Sequence, residues 1–191
     1  MPDWPLNLIR AADDNADFAA IVDLIQEASR WLREKGTTQW DRPWPSLTAR
    51  DSRIRAALAQ GKTWICWDHE VPAATITIDP DEDPYWAAED RAEPAVYVHR
   101  LVVSRRCSGQ GLGAALLDWA GLKGRRDHQA RWIRVSAWTD NQGLHAFYEK
   151  QGFSGHGFHP DDGYPSRARF QKPTDLISDA DCRLFRLAEP S

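Results

Sequence analysis

The segment LVVSRRCSGQGLGAALLDW, residues 101–119, holds the residue pattern with the clearest chemical meaning in this 191-residue chain. An apolar run leads into the alternating glycines Gly109, Gly111 and Gly113, and a helical pattern of apolar residues follows. A strand that enters a helix through such a turn leaves backbone N–H groups unpaired at the positive end of the helix dipole, and that geometry binds anions. Glycine lets the backbone approach an oxygen with no Cβ in the way. The pattern therefore indicates a phosphate or pyrophosphate ligand, with a ligand-free tight turn as the alternative.

Two common phosphate motifs fit this segment poorly. A P-loop needs Lys followed by Ser or Thr after its last glycine, and the segment has neither there. A dinucleotide turn needs the spacing G-x-G-x-x-G and an acid that ends the next strand. Here the spacing is G-x-G-x-G and the next predicted strand ends in SAWTDN, which weakens both interpretations.

Apolar periodicity predicts the elements that must position the turn. Helices are expected at 17–36, at 47–60, from 112 onward and in NQGLHAFYEKQGF, where Asn141 is expected to be the N-cap. Strands are expected at 7–12, in TWICW and PAATITID, at 95–103, at 131–140, and near 168–171 and 182–188. The run at 95–103 is too apolar for an exposed edge, so we expect it to be central.

Composition limits the class of protein. A hydrophobic fraction of 42% with ten Trp can fill a core, and the chain length suits one domain. There is no signal-peptide pattern and no run of about 18 apolar residues, so neither export nor a membrane span is expected. Three well-separated cysteines predict neither a disulfide framework nor a metal site, which favours a cytoplasmic protein. The net charge of −4 disfavours nucleic acid as a partner.

Taken together, LVVSRRCSGQGLGAALL and NQGLHAFYEKQGF resemble the GNAT superfamily of acetyl-CoA-dependent N-acyltransferases. The resemblance implies a single α/β domain over 1–191 with a mixed, mostly antiparallel sheet, splayed central strands and flanking helices. It places the cofactor-binding core at about 95–155 and the helices on the acceptor side at about 17–60. It also implies acetyl-CoA as the cofactor and CoA as a product.

The resemblance further implies the cofactor contacts. The family turn reads [RQ]-x-x-G-x-[GA], and in this chain Ser108 stands where Arg or Gln is usual, so Arg105 or Arg106 is expected to supply the cation. Backbone groups after Ser108 would bind pyrophosphate, the end of the strand at 95–103 would pair with pantetheine, and Asn141 would bond the cofactor arm. The implied contacts are Leu101, Val102, Val103, Arg106, Ser108, Gly109, Gln110, Gly111, Leu112, Gly113, Ala114, Asn141 and Tyr148.

Acyl transfer from a thioester to an amine needs proximity, a neutral amine, an oxyanion donor and a proton for the departing thiolate. By the resemblance, Tyr148 faces the sulfur and the backbone N–H near Val102 is the oxyanion donor. Proton transfer from a phenol of pKa about 10 to a thiolate whose thiol has a pKa of about 8.5 is unfavourable, unless the site lowers the phenol pKa. His99 and His145 are the candidate bases, with a water chain as the alternative. Structural roles compete for both histidines, and aromatic packing competes for Tyr148.

The expected acceptor is the primary amine of a small molecule. The resemblance assigns its site to loops that contain four tryptophans, of which Trp40, Trp86 and Trp138 are taken as substrate-binding. Seven acids between 79 and 93 beside one Arg91 would attract a cationic amine, although charge runs are usually solvated loops.

Other functions stay open at this point. One is a non-catalytic acyl-CoA sensor or scaffold, for which Ser108 is the sequence hint. Another is acetylation of a peptide amine or of aminoacyl-tRNA, which the acidic charge disfavours. A homodimer is an open option, and no membrane partner is expected.

Overall fold

The computed structural model describes residues 6–11, 14–40, 43–81, 83–160, 163–178 and 185–187. Its helices are α1 (Asn15–Glu34), α2 (Leu47–Ala59), α3 (Ala88–Arg91), α4 (Leu112–His128) and α5 (Gln142–Lys150). Its strands are β1 (Leu6–Arg10), β2 (Thr63–Asp68), β3 (Val71–Asp79), β4 (Ala95–Val103), β5 (Trp132–Ala137), β6 (Ser154–Phe158), β7 (Ala168–Pro173) and β8 (Phe185–Leu187). The predicted α/β class is confirmed. None of the described helices is both long and apolar enough to cross a membrane.

The chain forms two compact units. The first unit comprises Met1–Thr77, Arg100–Ala115 and Arg183–Ser191, and the second comprises Ile78–His99 and Leu116–Cys182. Strands are hydrogen-bonded in the order β3-β2-β1-β8 in the first and β4-β5-β7-β6 in the second. Most described pairs are antiparallel, whereas β1 with β8 and β4 with β5 are parallel. The sheet is therefore mixed and mostly antiparallel, as predicted, and the boundaries of a single domain at 1 and 191 stay a prediction.

The first unit is organised by two capped helices. The side chain of Asp14 accepts a hydrogen bond from the Asp17 N–H (2.8 Å) at the start of α1, and Ser46 accepts one from Ala49 (3.2 Å) at the start of α2. Apolar residues at helical spacing on α1 face the core. That core contains Ala11, Ile21, Leu24, Ile25, Ala28, Ile54, Leu58, Ile65 and Val102.

In the second unit, α4 lies unusually close to the sheet. A Cβ built on Gly124 would sit 2.5 Å and 2.8 Å from the two γ-carbons of Val96 on β4. Val96 is fully buried and β-branched, so it cannot easily rotate away. A glycine at position 124 is therefore what lets helix and strand make direct contact.

Strand β6 was not expected from the sequence. Its five residues, SGHGF, include two glycines and show no apolar alternation, and four of the five are exposed. Pairing with β7, interrupted by a register shift between Gly155 and Phe158, makes it a strand.

Replacing Gly124 with alanine should destabilise the protein. The added methyl overpacks against Val96 at a cost of about 1–3 kcal/mol, which exceeds the gain of about 1 kcal/mol in helix propensity. The matched control is Gly143→Ala in α5, because a Cβ there meets only the side-chain oxygen of Asn141 at 3.5 Å, and this variant should gain stability. Urea unfolding of both variants measures the difference, and equal stabilisation of the two would contradict the packing argument.

Candidate functional site

The turn that joins β4 to α4 lies in the first unit and has the backbone shape that the glycine pattern predicts. Gly109 and Gly111 adopt positive φ angles of 76° and 80°, which side chains with a Cβ rarely adopt. The Ala115 N–H donates to the Gly111 carbonyl (3.0 Å), so the first helical hydrogen bond begins at Gly111. The N–H groups of residues 112–114 have no acceptor within the helix, because the carbonyls four residues before them lie outside it. They point out of the N-terminus of a 17-residue helix.

This turn has room for a phosphate. A Cβ built on Gly109 or on Gly111 would meet no heavy atom within 4 Å, and both residues are exposed. The Gln110 side-chain N–H donates to the Arg106 carbonyl (3.2 Å) and closes the turn on itself. Ser108 is exposed beside them. Open amides without side chains above them fit the pyrophosphate assignment.

The two arginines of the turn are tied to the scaffold of the first unit. The Arg106 guanidinium bonds the Asp68 carboxylate and also donates to the Val71 carbonyl (3.2 Å). The hydrogen bond to Asp68 raises the pKa of Arg106 above its ordinary value. The Arg105 guanidinium stacks 3.9 Å from the centre of the Trp31 ring. Cofactor binding by Arg106 stays a prediction, and here both side chains fix the position of the turn.

The hydrogen-bonded ladder between β4 and β5 covers only the first part of β4. Their parallel register runs from Ala95 opposite Trp132 to Val98 opposite Val135 and then ends, although β4 continues to Val103. Arg100 has a φ of 50°, which bends the strand just past that point. The backbone edge of Leu101–Val103 therefore lies outside the ladder with β5, as a backbone expected to pair with an extended ligand must.

In the second unit, α5 holds both predicted residues of the cofactor arm. Asn141 is buried and its Oδ1 accepts from the Leu144 N–H (3.0 Å), so its side chain is the N-cap of α5. Tyr148 is buried two turns later between Phe153 (5.5 Å) and Phe170 (5.7 Å). Burial raises the pKa of the Tyr148 phenol well above its ordinary value. This is opposite to the lowering that easy proton donation to a thiolate would require.

The candidate bases differ in environment. His145 is buried on α5, and its Nε2 lies 2.9 Å from the Trp138 carbonyl oxygen. A carbonyl only accepts, so we assign the ring hydrogen to Nε2, and Nδ1 is the nitrogen that can still take a proton. His99 is half-buried on β4, one residue past the end of the register with β5. A catalytic role for either histidine stays a prediction.

Trp86 belongs to the core of the second unit. It is 2% exposed and packs with Ala95 and Tyr97. Its ring stacks on His156 at 5.6 Å, and the Arg134 guanidinium lies 4.9 Å from the ring centre. The structure thus places Trp86 inside the unit and not on an open pocket wall, and its role in substrate binding stays a prediction. Trp138 is half-buried just after β5, and Trp40 lies in the first unit.

The acidic stretch is less available to a cation than its sequence suggests. Asp90 bonds a histidine ring (2.7 Å), and Glu93 accepts from a guanidinium (3.1 Å) and an indole N–H (2.9 Å). Asp83 is 7% exposed, and burial raises the pKa of its carboxyl. Glu82 lies outside the described residues. In the described part of the chain, no cluster of three or more His, Cys, Asp or Glu side chains could hold a metal.

A polar chain that sequence analysis missed crosses the sheet of the second unit. The fully buried Arg134 donates through Nε to Gln171 Oε1 (3.2 Å) and through Nη1 to the Tyr97 hydroxyl (3.2 Å). Gln171 Nε2 lies 3.3 Å from His156 Nδ1, and His156 Nε2 lies 2.7 Å from Asp90 Oδ1. Because arginine only donates, the Gln171 N–H faces His156, and we assign the hydrogen of that ring to Nε2. Both ring nitrogens are thereby engaged, and no local sequence pattern links partners 66 residues apart.

Comparison with known proteins identifies the family. The profile of the acetyltransferase (GNAT) family matches residues 23–153. The uncharacterized N-acetyltransferase YesJ of Bacillus subtilis (strain 168) is 32% identical over 141 residues, which cover 72% of this chain and 76% of YesJ. The chain belongs to the GNAT acetyltransferase family. The GNAT match begins in α1 and includes the β4–α4 turn, Asn141 and Tyr148.

Solved structures confirm the GNAT fold. An acetyltransferase of the GNAT family from Listeria monocytogenes 4b F2365 has a TM-score of 0.70 at 23% identity, over 88% of this chain and 94% of that one. The PaiA N-acetyltransferase of Thermoplasma acidophilum, solved in complex with coenzyme A, has a TM-score of 0.66 at 12% identity, over 88% of this chain and 98% of that one.

The replacements Asp83→Asn and Asp127→Asn in this GNAT protein should show opposite pH trends. Burial and the nearby charge of Asp79 raise the pKa of Asp83 in the folded protein. The Tyr85 N–H, His159 and Arg91 lower it, but their effect is smaller. The folded state therefore favours the protonated form of Asp83. Wild-type stability should therefore fall relative to Asp83→Asn as the pH rises above about 4 through that raised pKa. Hydrogen bonds from Arg126 and Lys123 lower the pKa of Asp127 to about 2, so its contribution is present above about 4 and is lost as the pH falls toward 2.

Urea unfolding of the wild type and both variants from about pH 3 to about pH 7 measures these trends. The stability advantage of Asp83→Asn over the wild type should grow with pH, whereas the deficit of Asp127→Asn should shrink toward low pH. A flat difference for Asp83→Asn would contradict the burial argument.

Proposed function

We propose that this protein is an N-acetyltransferase that moves the acetyl group of acetyl-CoA to the primary amine of a small molecule. The observation that carries the proposal is the β4–α4 turn, whose open amides follow two glycines at positive φ within the GNAT match. The coenzyme A in the PaiA structure supports the choice of cofactor. The net charge of −4 supports a small molecule over a nucleic acid as the acceptor partner.

The residues of the turn would hold the pyrophosphate. Backbone N–H groups from Gln110 to Ala114 donate to its oxygens at the positive end of the α4 dipole. The Ser108 hydroxyl carries no charge, so the backbone provides most of this binding. The edge of Leu101–Val103 left by β5 would pair with the pantetheine amides, since an extended chain can be added to a free strand edge.

The acceptor nitrogen attacks the thioester carbon, the C–S bond breaks, the nitrogen loses a proton and the sulfur gains one. We assign to the Tyr148 hydroxyl the role of hydrogen-bond donor to the departing sulfur. Burial keeps this phenol protonated, so it is always available as a hydrogen-bond donor. Full transfer of its proton to a thiolate of pKa about 8.5 is more costly than ordinary pKa values imply. Tyr148 therefore stabilises the leaving thiolate mainly through a hydrogen bond, and its rate contribution is at the low end for a general acid.

Removal of the proton from the amine is assigned to His99, His145 or a water chain. His145 would have to accept at Nδ1, since its Nε2–H is held by the Trp138 carbonyl. The backbone N–H near Val102 is the proposed oxyanion donor.

The Gly111→Trp variant tests the cofactor assignment. A side chain at this position should block the open amides and weaken acetyl-CoA binding at least tenfold by calorimetric titration. The matched control is Gly36→Trp after α1, because Gly36 is also exposed, has a φ of 78° and would have no heavy atom within 4 Å of a Cβ. Both variants should carry similar backbone strain. Unchanged affinity in Gly111→Trp, or an equal loss in Gly36→Trp, would overturn the assignment.

The Tyr148→Phe variant tests the chemical assignment. In a thiol-release assay with a panel of amines, amino acids, polyamines, aminoglycosides and peptides, it should lower kcat about tenfold to a hundredfold. Acetyl-CoA binding should stay near that of the wild type, because the aromatic packing is kept. An unchanged rate would make Tyr148 a packing residue, and cofactor binding without release on any amine would favour an acyl-CoA sensor.

A further inference from the structure

The first unit contains a cavity that the proposed cofactor site does not use. Its volume is about 190 Å³, and it lies along α1 beside Trp40 and the second helix. It is open to solvent, because Gln26, Arg30 and Arg33 are exposed. The full lining is Ile25, Gln26, Ser29, Arg30, Arg33, Trp40 and Arg50.

Four of these residues form one stripe of α1. Gln26, Ser29, Arg30 and Arg33 follow one another at spacings of three, one and three residues, which places them on one face of a helix. This polar stripe runs beside the buried apolar stripe that contains Ile25. Helix packing therefore presents two guanidinium groups to the same cavity, and Arg50 of α2 adds a third.

Three arginine side chains line the cavity. None of the described residues that line it is acidic. Arg50 is paired with its neighbour Asp51 at 2.6 Å, which offsets the Arg50 charge. For the Arg30 side chain, no hydrogen bond, ion pair or ring contact occurs in the described part of the chain. An arginine without an acid, in a cavity with two others, is a ready ligand for an oxyanion, which a guanidinium can bind through two parallel hydrogen bonds.

Trp40 provides a flat wall, and its backbone is held in an uncommon conformation. Its φ is 60°, which is an outlier for a large side chain. The Ser29 hydroxyl donates to its carbonyl (3.1 Å), and its ring packs on the core of the first unit. A strained backbone kept in place by such contacts is typical of a binding site. The indole face suits the carbon skeleton of a small ligand.

Helix α1 also contacts the proposed cofactor turn. The Arg105 N–H donates to the Glu27 carboxylate (3.2 Å), and Glu27 lies between two residues of the polar stripe in sequence. Arg30 is three residues after Glu27 and so lies on the same side of α1. Helix α1 thus both lines the cavity and bonds the turn within the first unit.

We propose that this cavity binds a carboxylate or phosphate group of the acceptor, so that the acceptor is an amine that also carries an acidic group. This inference rests on the proposed acetyltransferase function. It replaces the cationic acceptor that the acidic stretch suggested, since Asp90 and Glu93 are already bonded to basic or N–H groups. All candidate acceptors carry an amine. The cavity would therefore select among them by the acidic group that some of them also carry.

The experiment compares Arg30→Gln with Lys35→Gln, which removes the same charge from the exposed end of α1 away from the cavity lining. First, the thermal midpoint is measured with increasing inorganic phosphate at constant ionic strength and with saturating coenzyme A, which occupies the turn. Second, thiol release is measured for paired amines: an amino acid with its amide, and a phosphorylated amino sugar with its parent. Coenzyme A affinity is measured for each variant.

The proposal expects phosphate to raise the midpoint of the wild type and of Lys35→Gln but not of Arg30→Gln. It also expects the acidic member of at least one pair to have a kcat/KM about tenfold or more above its partner, a ratio that Arg30→Gln abolishes and Lys35→Gln keeps. The pair that responds distinguishes a carboxylate from a phosphate. Equal kcat/KM values within every pair would overturn the proposal. A tenfold loss of coenzyme A affinity in Arg30→Gln would also overturn it, because the cavity would then serve the cofactor.

The same experiment distinguishes failure of the proposed acetyltransferase function from failure of the oxyanion site. If no amine releases thiol but the phosphate effect still depends on Arg30, the oxyanion site stands and the transferase assignment falls.

Discussion

The positive φ angles of Gly109 and Gly111 are the constraint on which the proposed site depends. They turn the chain sharply from the end of β4 into the start of α4, and the space beside both glycines is open, since a Cβ on either would meet no heavy atom within 4 Å. Neighbouring residues keep that turn in place, because Arg106 bonds Asp68 and Arg105 stacks on Trp31. The two arginines thus hold the shape of the turn. A turn built this way needs little from the side chain at Ser108.

Burial determines the chemistry of the second unit. Tyr148 lies among aromatic rings, which favour the neutral phenol and make it a hydrogen-bond donor rather than a strong acid. Asn141 serves the structure of α5 as its cap before it can serve any ligand. One helix thereby positions a donor and an amide through packing and capping alone.

Charge is distributed differently in the two units. In the second unit, Asp90 and Glu93 are bonded to histidine, arginine and indole groups. The buried Arg134 donates to three hydrogen-bond partners in the same unit. In the first unit, the cavity along α1 gathers three guanidiniums without an acidic lining residue among those described. The distribution of charge therefore differs between the two units, which the overall charge of −4 does not show.

The sequence alone determined the family, the central strand at 95–103, the glycine turn and the cap at Asn141, because each depends on residues close together in the chain. Backbone freedom, helix periodicity and capping are local properties, so their patterns are visible in a short segment. Only the tertiary structure decided that Trp86 is core, that the phenol pKa of Tyr148 rises, and that His156 joins Asp90 and Gln171. Burial and pairing between distant strands arise when the chain is packed, and no local pattern records which residues will become neighbours.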